Sequence, residues 1–241
     1  FIGLFLSKVL AYAYRIIIAR YFGAEIYGLF SLALILITLF ASFASFGLID
    51  GLIRFVSFYR GKNQNDKIRY LFRYTIIFLA ISSILSGLLL FALSQFISVR
   101  IFHDARLIIF LRFFSILVPL TLLSNALLAV IKGYEKIGWY SFIANIIQNV
   151  TKLLVLTLFV FLGFGVSAVI FSHILAVFSV LLAAYFVCRY LIVVIFQKSH
   201  INKRSKVQLK KDLFSYSWPI IFASILSSIF YWVDSLSIGY F

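Results

Sequence analysis

Seven long stretches of this chain, around 1–19, 28–49, 71–99, 107–131, 139–162, 166–196 and 213–241, are apolar almost throughout, and short polar joints separate them. A helix needs about 20 predominantly apolar residues to cross the hydrocarbon of a bilayer. Each stretch therefore predicts a transmembrane helix, and together they predict an all-α, polytopic bundle of about seven spans. The first helix is expected to end near Phe22, before Gly23, and the second to run from Gly28 to about Asp50. The third covers roughly 70–98. The fourth carries Pro119 in mid-span, where the loss of one backbone hydrogen bond predicts a kink. Lys132 to Gly138 reads as a tight turn, the fifth helix runs on to Leu162, and Gly163-Phe164-Gly165 reverses the chain into a long sixth. The seventh begins near Asp212, with Pro219 close to its start, where proline is tolerated. Arg60–Lys67 and Gln197–Lys211 lack apolar periodicity and read as basic, solvated segments.

Composition agrees with the pattern. Hydrophobic residues make up 64% of the 241 residues, where a soluble domain has about half, and the mean hydropathy is +1.11. Cys188 is the one cysteine, so no intramolecular disulfide forms; it is expected to pack as a small hydrophobe. The sequence holds no Met and opens and closes inside apolar runs, which reads as a fragment clipped at both ends. Ala11-Tyr12-Ala13 mimics a signal-peptide cleavage site, but Lys8 interrupts the apolar core such a peptide needs.

The net charge of +15 would suggest nucleic acid in a soluble protein. Here the cations gather in the joints, which argues for membrane orientation and against a nucleic-acid partner. Segments 54–73, 132–136 and 189–211 hold fifteen Lys and Arg residues, and the alternate joints hold four. Cytoplasmic loops carry the excess of Lys and Arg. The joints after the second, fourth and sixth helices, and the N-terminus, are thus expected in the cytoplasm of a cell that keeps this protein in its plasma or inner membrane.

Function must be sought in polar residues that lipid would reject. Asn145, Gln148, Asn149 and Lys152 fall at i, i+3, i+4 and i+7, on one helix face, and Ser141 extends the stripe. An ionisable group at bilayer depth costs at least ~2.5 kcal/mol, so this face is expected to meet protein or water. Lys8, Tyr12 and Arg15 form a sparser stripe on the first helix, and two cations without an acid suggest a positive cavity. Snorkelling to the membrane surface is the competing reading for both. Ser31, Thr38, Ser42 and Ser45 lie on the second helix. Asp50 and Arg54 follow as candidates for a cytoplasmic gate, or as a pair held to each other at the membrane edge. Gly47 and Gly51 have the small-xxx-small spacing of close helix approach. On the seventh helix, Ser224, Ser227, Tyr231 and Asp234 share roughly one face, and Asp234 is a candidate partner of Arg15 or Lys152. His173 is expected to be a hydrogen-bonded packing residue. Tyr27, Trp139, Tyr140, Trp218 and Tyr240 suit the interfacial aromatic belt. No GxSxG, HExxH, GxxxxGK[ST] or Cys/His cluster occurs, so neither catalysis nor a metal or other cofactor is expected.

A faint internal repeat sets Tyr21-Phe22 against Tyr240-Phe241 and Arg15 over Asp234. Such repeats are a known transporter plan. The run Ala19-Arg-Tyr-Phe-Gly-Ala-Glu-Ile-Tyr-Gly-Leu-Phe-Ser-Leu-Ala33 resembles the joint between the first two helices of polysaccharide-biosynthesis flippases, within the multidrug/oligosaccharidyl-lipid/polysaccharide exporter superfamily. Phe46-Gly-Leu-Ile-Asp-Gly-Leu-Ile-Arg-Phe55 is similar to that family's end of helix 2. Ser217-Trp-Pro219 and Val233-Asp-Ser-Leu-Ser-Ile-Gly239 are similar to the start of its second half.

The resemblance implies two six-helix lobes that alternate between inward- and outward-open forms. Residues 1–196 would be the first lobe, 197–212 a basic cytoplasmic linker and 213–241 the truncated first helix of the second lobe. It further implies transfer of a polyprenyl- or dolichyl-linked oligosaccharide between leaflets. Lys8, Arg15 and Lys152 would meet the lipid's phosphates, and amides and hydroxyls would meet sugar. The implied partners are that substrate, membrane lipids, a coupling ion (H+ or Na+) and other polysaccharide-assembly proteins. Two alternatives stand beside it. A cation-coupled multidrug exporter of the same fold needs a carboxylate in the first lobe, where Asp50 alone lies on a helix. A membrane-embedded glycosyltransferase or polymerase needs a larger outer loop than these joints provide.

Overall fold

In the computed structural model, which describes residues 2–197, 199 and 201–240 and most of their side chains, the chain is a helical bundle with no strand among those residues. The described residues of all seven apolar stretches are mostly helical. They form α1 (Ile2–Phe22), α2 (Ala24–Ser45), α3 (Leu48–Gly61), α4 (Asn65–Phe96), α5 (Leu107–Phe114), α6 (Leu117–Gly133), α7 (Ile137–Ser141), α8 (Gln148–Phe161), α9 (Ser167–Leu191) and α10 (Lys203–Tyr240). One-turn π-helical segments continue α4 (Ile97–Ile101) and join α7 to α8 (Phe142–Ile147).

Four of these units are long and apolar enough to cross a membrane: Ala24–Ser45, Asn65–Ile101, Ile137–Phe161 and Ser167–Leu191. The bent pair α5–α6 makes a fifth. The all-α polytopic bundle expected from the sequence is thus present, with up to five spans met by length and apolarity among the described residues.

Three breaks differ from, or sharpen, the sequence expectation. The second helix ends at Ser45, not Asp50. Phe46 and Gly47 are both left-handed (φ 47° and 64°), and the Ser45 hydroxyl accepts the Gly47 N–H at 3.3 Å. The chain then restarts as α3, so the basic segment begins as helix; only the turn near 62–64 interrupts it before α4. The fourth helix breaks by 42° between α5 and α6. Pro119 cannot donate to the Ser115 carbonyl four residues back, and its ring crowds that oxygen. The bond is replaced by a tighter one from the Val118 N–H to Ser115 at 3.3 Å. The kink expected from Pro119 is thus present, displaced toward Ser115. Lastly, α10 starts at Lys203, inside the segment read as a solvated linker.

That basic start is docked rather than free. Lys206 and Lys210 sit 5.8 and 4.5 Å from the rings of Tyr70 and Tyr74 on α4, and Arg54 lies 4.0 Å over Tyr216. Each such contact is worth about 0.5–2 kcal/mol, more where water is excluded. The Gly47/Gly51 spacing has the expected use: α10 crosses α3 there, and a Cβ on either glycine would strike Ser217.

The core has two halves. One gathers Tyr14, Ile18, Phe30, Phe110, Phe114 and Val169 from α1, α2, α5 and α9; the other gathers Leu48, Val56, Leu71, Leu128 and Ala184 from α3, α4, α6 and α9. Between Ala126 and Ile131, α6 is buried at every position, as expected of a central helix. Cys188 is buried, with its thiol 3.7 Å from the Leu127 carbonyl, a small core residue as expected.

Polar contacts sort the joints into two ends. Arg60 pairs with Glu135 at 3.3 Å, and Ser199 donates to the Asp66 carbonyl at 2.9 Å. The turns near 62–67, 132–136 and 193–199 therefore share one end. At the other, Arg106 bridges Glu25 at 2.7 Å and Asp104 at 2.8 Å. The joints rich in Lys and Arg thus fall together, as the charge count requires.

Two predictions follow from these breaks and clamps. Gly47→Ala adds a Cβ at positive φ against Ser217 and is expected to cost about 1–3 kcal/mol, read as a lower thermal midpoint in detergent; an unchanged midpoint would contradict this α3–α10 contact. At the opposite end, hydrogen bonding by Arg106 holds the Asp104 carboxyl below the usual carboxylate range. A depressed carboxyl contributes stability above its unfolded value and loses it as pH falls through the folded one. Hydrogen exchange at 23–27 and 102–107, corrected for intrinsic rates, should accelerate in Arg106→Gln at neutral pH, and in the parent only below the carboxylate range.

Candidate functional site

The site is built where α1 lies against the α7–α8 unit. Its inward stripe was not among the sequence candidates: Ser7, Tyr14 and Ile18 are buried, at i, i+7 and i+11. Ser7 is the knot. The Asn149 amide donates to the Ser7 hydroxyl at 2.9 Å and to the Asn145 carbonyl at 2.8 Å, and the Ser7 hydroxyl donates to that same carbonyl at 3.4 Å. Asn145 donates to the Ser141 carbonyl at 3.1 Å. Asn145 belongs to the π-helical turn Phe142–Ile147, a feature common at functional sites. The amide donors thus hold α1 to α8, while among the described residues the two side-chain oxygens accept no hydrogen bond. Gln148 is half-buried beside them.

Lys152 stands one turn beyond Asn149, roughly 14 Å from the Phe161 end at 1.5 Å per residue. It is half-buried, with its ammonium 5.9 Å from the centre of the Tyr14 ring. The Tyr14 hydroxyl is 3.1 Å from Ser172 on α9. No carboxylate pairs with Lys152 or Arg15 among the described residues. Lys8, Tyr12 and Arg15 are exposed together along one flank of α1, next to its buried stripe. Lys152 and Arg15 are thus set on neighbouring helices, the first beside Tyr14 and the second one residue further along α1.

His173 is buried between the rings of Phe30 and Phe114, at 5.6 and 5.7 Å. It packs as expected, but its Nδ1 has no hydrogen-bond partner among the described residues. Asp50 and Arg54 do not pair with each other. Both are exposed on α3, and Arg54 instead stacks on Tyr216 of α10. An aromatic face across the helix boundary outcompetes a neighbouring carboxylate that water solvates. The side chains of Tyr231 and Asp234 lie outside the described residues. No group of three or more His, Cys, Asp or Glu side chains converges on a metal-sized site among the described residues.

The Ser7 knot makes a direct prediction. Ser7→Val and Asn149→Val should each cost about 1 kcal/mol, the usual worth of an interhelical hydrogen bond in a membrane, and the double variant should lose little more than either. Strictly additive losses in thermal midpoint would show that the two side chains act independently.

A family profile described as "Polysaccharide biosynthesis protein" matches residues 1–241. No curated protein and no solved structure matches the chain significantly. A match over the whole length, on a helical bundle with spans fit for a bilayer, gives the conclusion: this chain is a membrane protein that belongs to the polysaccharide biosynthesis protein family.

Proposed function

We propose that the chain is a lobe of a flippase that carries a polyprenyl- or dolichyl-linked oligosaccharide from the cytoplasmic to the outer leaflet by alternating access. One observation carries this reading: the Lys152 ammonium lies beside Tyr14 of α1, one residue from the exposed Arg15 and next to the amides of Asn145, Gln148 and Asn149, and neither cation has an acidic partner among the described residues. A phosphate-bearing headgroup cannot cross hydrocarbon unaided, and a polar path lined by cations removes most of that barrier. Arg15, Lys8 and Tyr12 are exposed on the flank of α1, where a facing lobe would close a cleft. Lys152 takes the phosphates at mid-depth, and the open amide oxygens accept from sugar hydroxyls. The reading makes the protein a transporter rather than an enzyme, since the cargo changes leaflet without a bond being made or broken.

The basic end, with the turns near 62–67, 132–136 and 193–199, faces the cytoplasm in this reading, as does the N-terminus. Asp50 and Arg54 lie near that end, where Arg54 on Tyr216 couples α3 to α10. The alternative of a cation-coupled multidrug exporter is less well supported. Asp50 is exposed beyond the Phe46–Gly47 break, and no acid pairs with Lys152 among the described residues.

The test is leaflet exchange of a fluorescent lipid-linked oligosaccharide by the full-length protein in proteoliposomes. Arg15→Ala and Lys152→Ala should each slow exchange about 10-fold or more, the scale of one lost charged contact to phosphate, while Arg15→Lys retains much of the rate. Parent-like exchange by both alanine variants, at equal reconstitution, would overturn the cationic-path reading.

A further inference from the structure

A second feature lies on the opposite flank of the bundle. Between α4, the broken pair α5–α6 and α9 runs a groove of about 590 Å³, within the ~300–1,000 Å³ range of small-molecule sites. Its walls are apolar, among them Leu88, Phe113, Pro119 and Ile174, and Arg112 is the one charged residue that lines it. We propose that this groove binds an anionic glycerophospholipid of the bilayer, with the phosphate on Arg112 and one acyl chain along the apolar channel. The proposal stands apart from the cargo reading above.

The groove has the polarity and direction of a lipid. Arg112 and Phe91 lie toward the end of the bundle that carries the 97–106 joint. Ile84, Pro119 and Ile174 lie deeper, and Ile84 to Phe91 spans about 10 Å along α4. The headgroup end therefore faces the membrane surface and the apolar end faces the midplane. The floor is the α5–α6 break itself: a Cβ on Gly87 would come within 2.9 Å of the Ser115 carbonyl, so α4 presses directly on the bend.

Arg112 is exposed and poorly satisfied by protein. Its Nε is 3.4 Å from the Ser94 hydroxyl, and its guanidinium is 5.7 Å from the Phe91 ring. No carboxylate pairs with it among the described residues. A cation between transmembrane helices, at the mouth of an apolar groove, is a recurring way to hold a lipid phosphate. The same lining holds no acid to meet the ammonium of a zwitterionic headgroup, so net negative lipids are favoured.

The test equilibrates the full-length protein in detergent micelles holding equal amounts of phosphatidylglycerol and phosphatidylcholine, and weighs the lipid-bound protein by native mass spectrometry. The parent should retain phosphatidylglycerol about 10-fold over phosphatidylcholine. Arg112→Gln should bring the two to parity, and Arg112→Lys should restore most of the preference. Leu88→Trp, on an exposed wall of the groove, should cut retention of both lipids. Four results would overturn the proposal: equal retention by the parent, an undiminished preference in Arg112→Gln, unchanged retention in Leu88→Trp, or displacement of phosphatidylglycerol by equimolar polyprenyl phosphate, which would assign the groove to the cargo's tail.

Discussion

The cost of an unneutralised ammonium in hydrocarbon governs this structure. Lys152 stands in mid-helix with no acid to neutralise it among the described residues, and burying such a group against lipid is unfavourable by at least ~2.5 kcal/mol. The fold answers by closing α1 over α8 through Ser7 and Asn149 and by setting the Tyr14 ring beside the ammonium. The exposed flank of α1 carries two further cations, Lys8 and Arg15. A protein under selection for stability alone would place an acid or an apolar residue here. A pair of neighbouring cations makes sense where an anion visits.

The same constraint explains the rest of the bundle. Backbone groups freed at breaks are satisfied locally, by the Ser45 hydroxyl at Gly47 and by the tightened turn at Ser115, because lipid offers no replacement. Exposed ion pairs are confined to the two ends, where Arg60–Glu135 and Arg106–Glu25 tie joints together. Between the ends, hydroxyls mostly bond back to their own helix, as Thr38 and Ser42 do to Leu34 and Thr38. These contacts hold the shape of the bundle.

Much of this was legible in the sequence, and the reasons for the rest are specific. Apolar length predicts the long helices, since lipid demands it, but not α3, which lies mostly beyond the second apolar stretch. The Gly47/Gly51 spacing and Pro119 announced a close crossing and a bend. Breaks set by backbone conformation were not legible: nothing in the composition marks Phe46 as left-handed, so α2 and α3 read as one element. The start of α10 reads from the sequence as a solvated run, because the partners of its lysines, Tyr70 and Tyr74, lie more than a hundred residues away. Asp50 and Arg54 failed to pair for the same reason, an aromatic acceptor on a distant helix. At the site, the polar stripe on α8 was visible by its period, but the buried Ser7–Tyr14–Ile18 stripe that docks it was hidden among apolar neighbours. A serine every bit as ordinary as its fellows can be found only through its period of seven with Tyr14.

The central claim is that Arg15 and Lys152 face one water-accessible path that an anion enters. The most direct measurement is thiol labelling of Arg15→Cys and Lys152→Cys in membranes, with the native Cys188 buried and silent. The account predicts that both positions react with a charged, water-soluble methanethiosulfonate and that a pyrophosphate-linked lipid sugar slows both reactions. Labelling by lipophilic reagents alone, or labelling indifferent to that lipid, would contradict it.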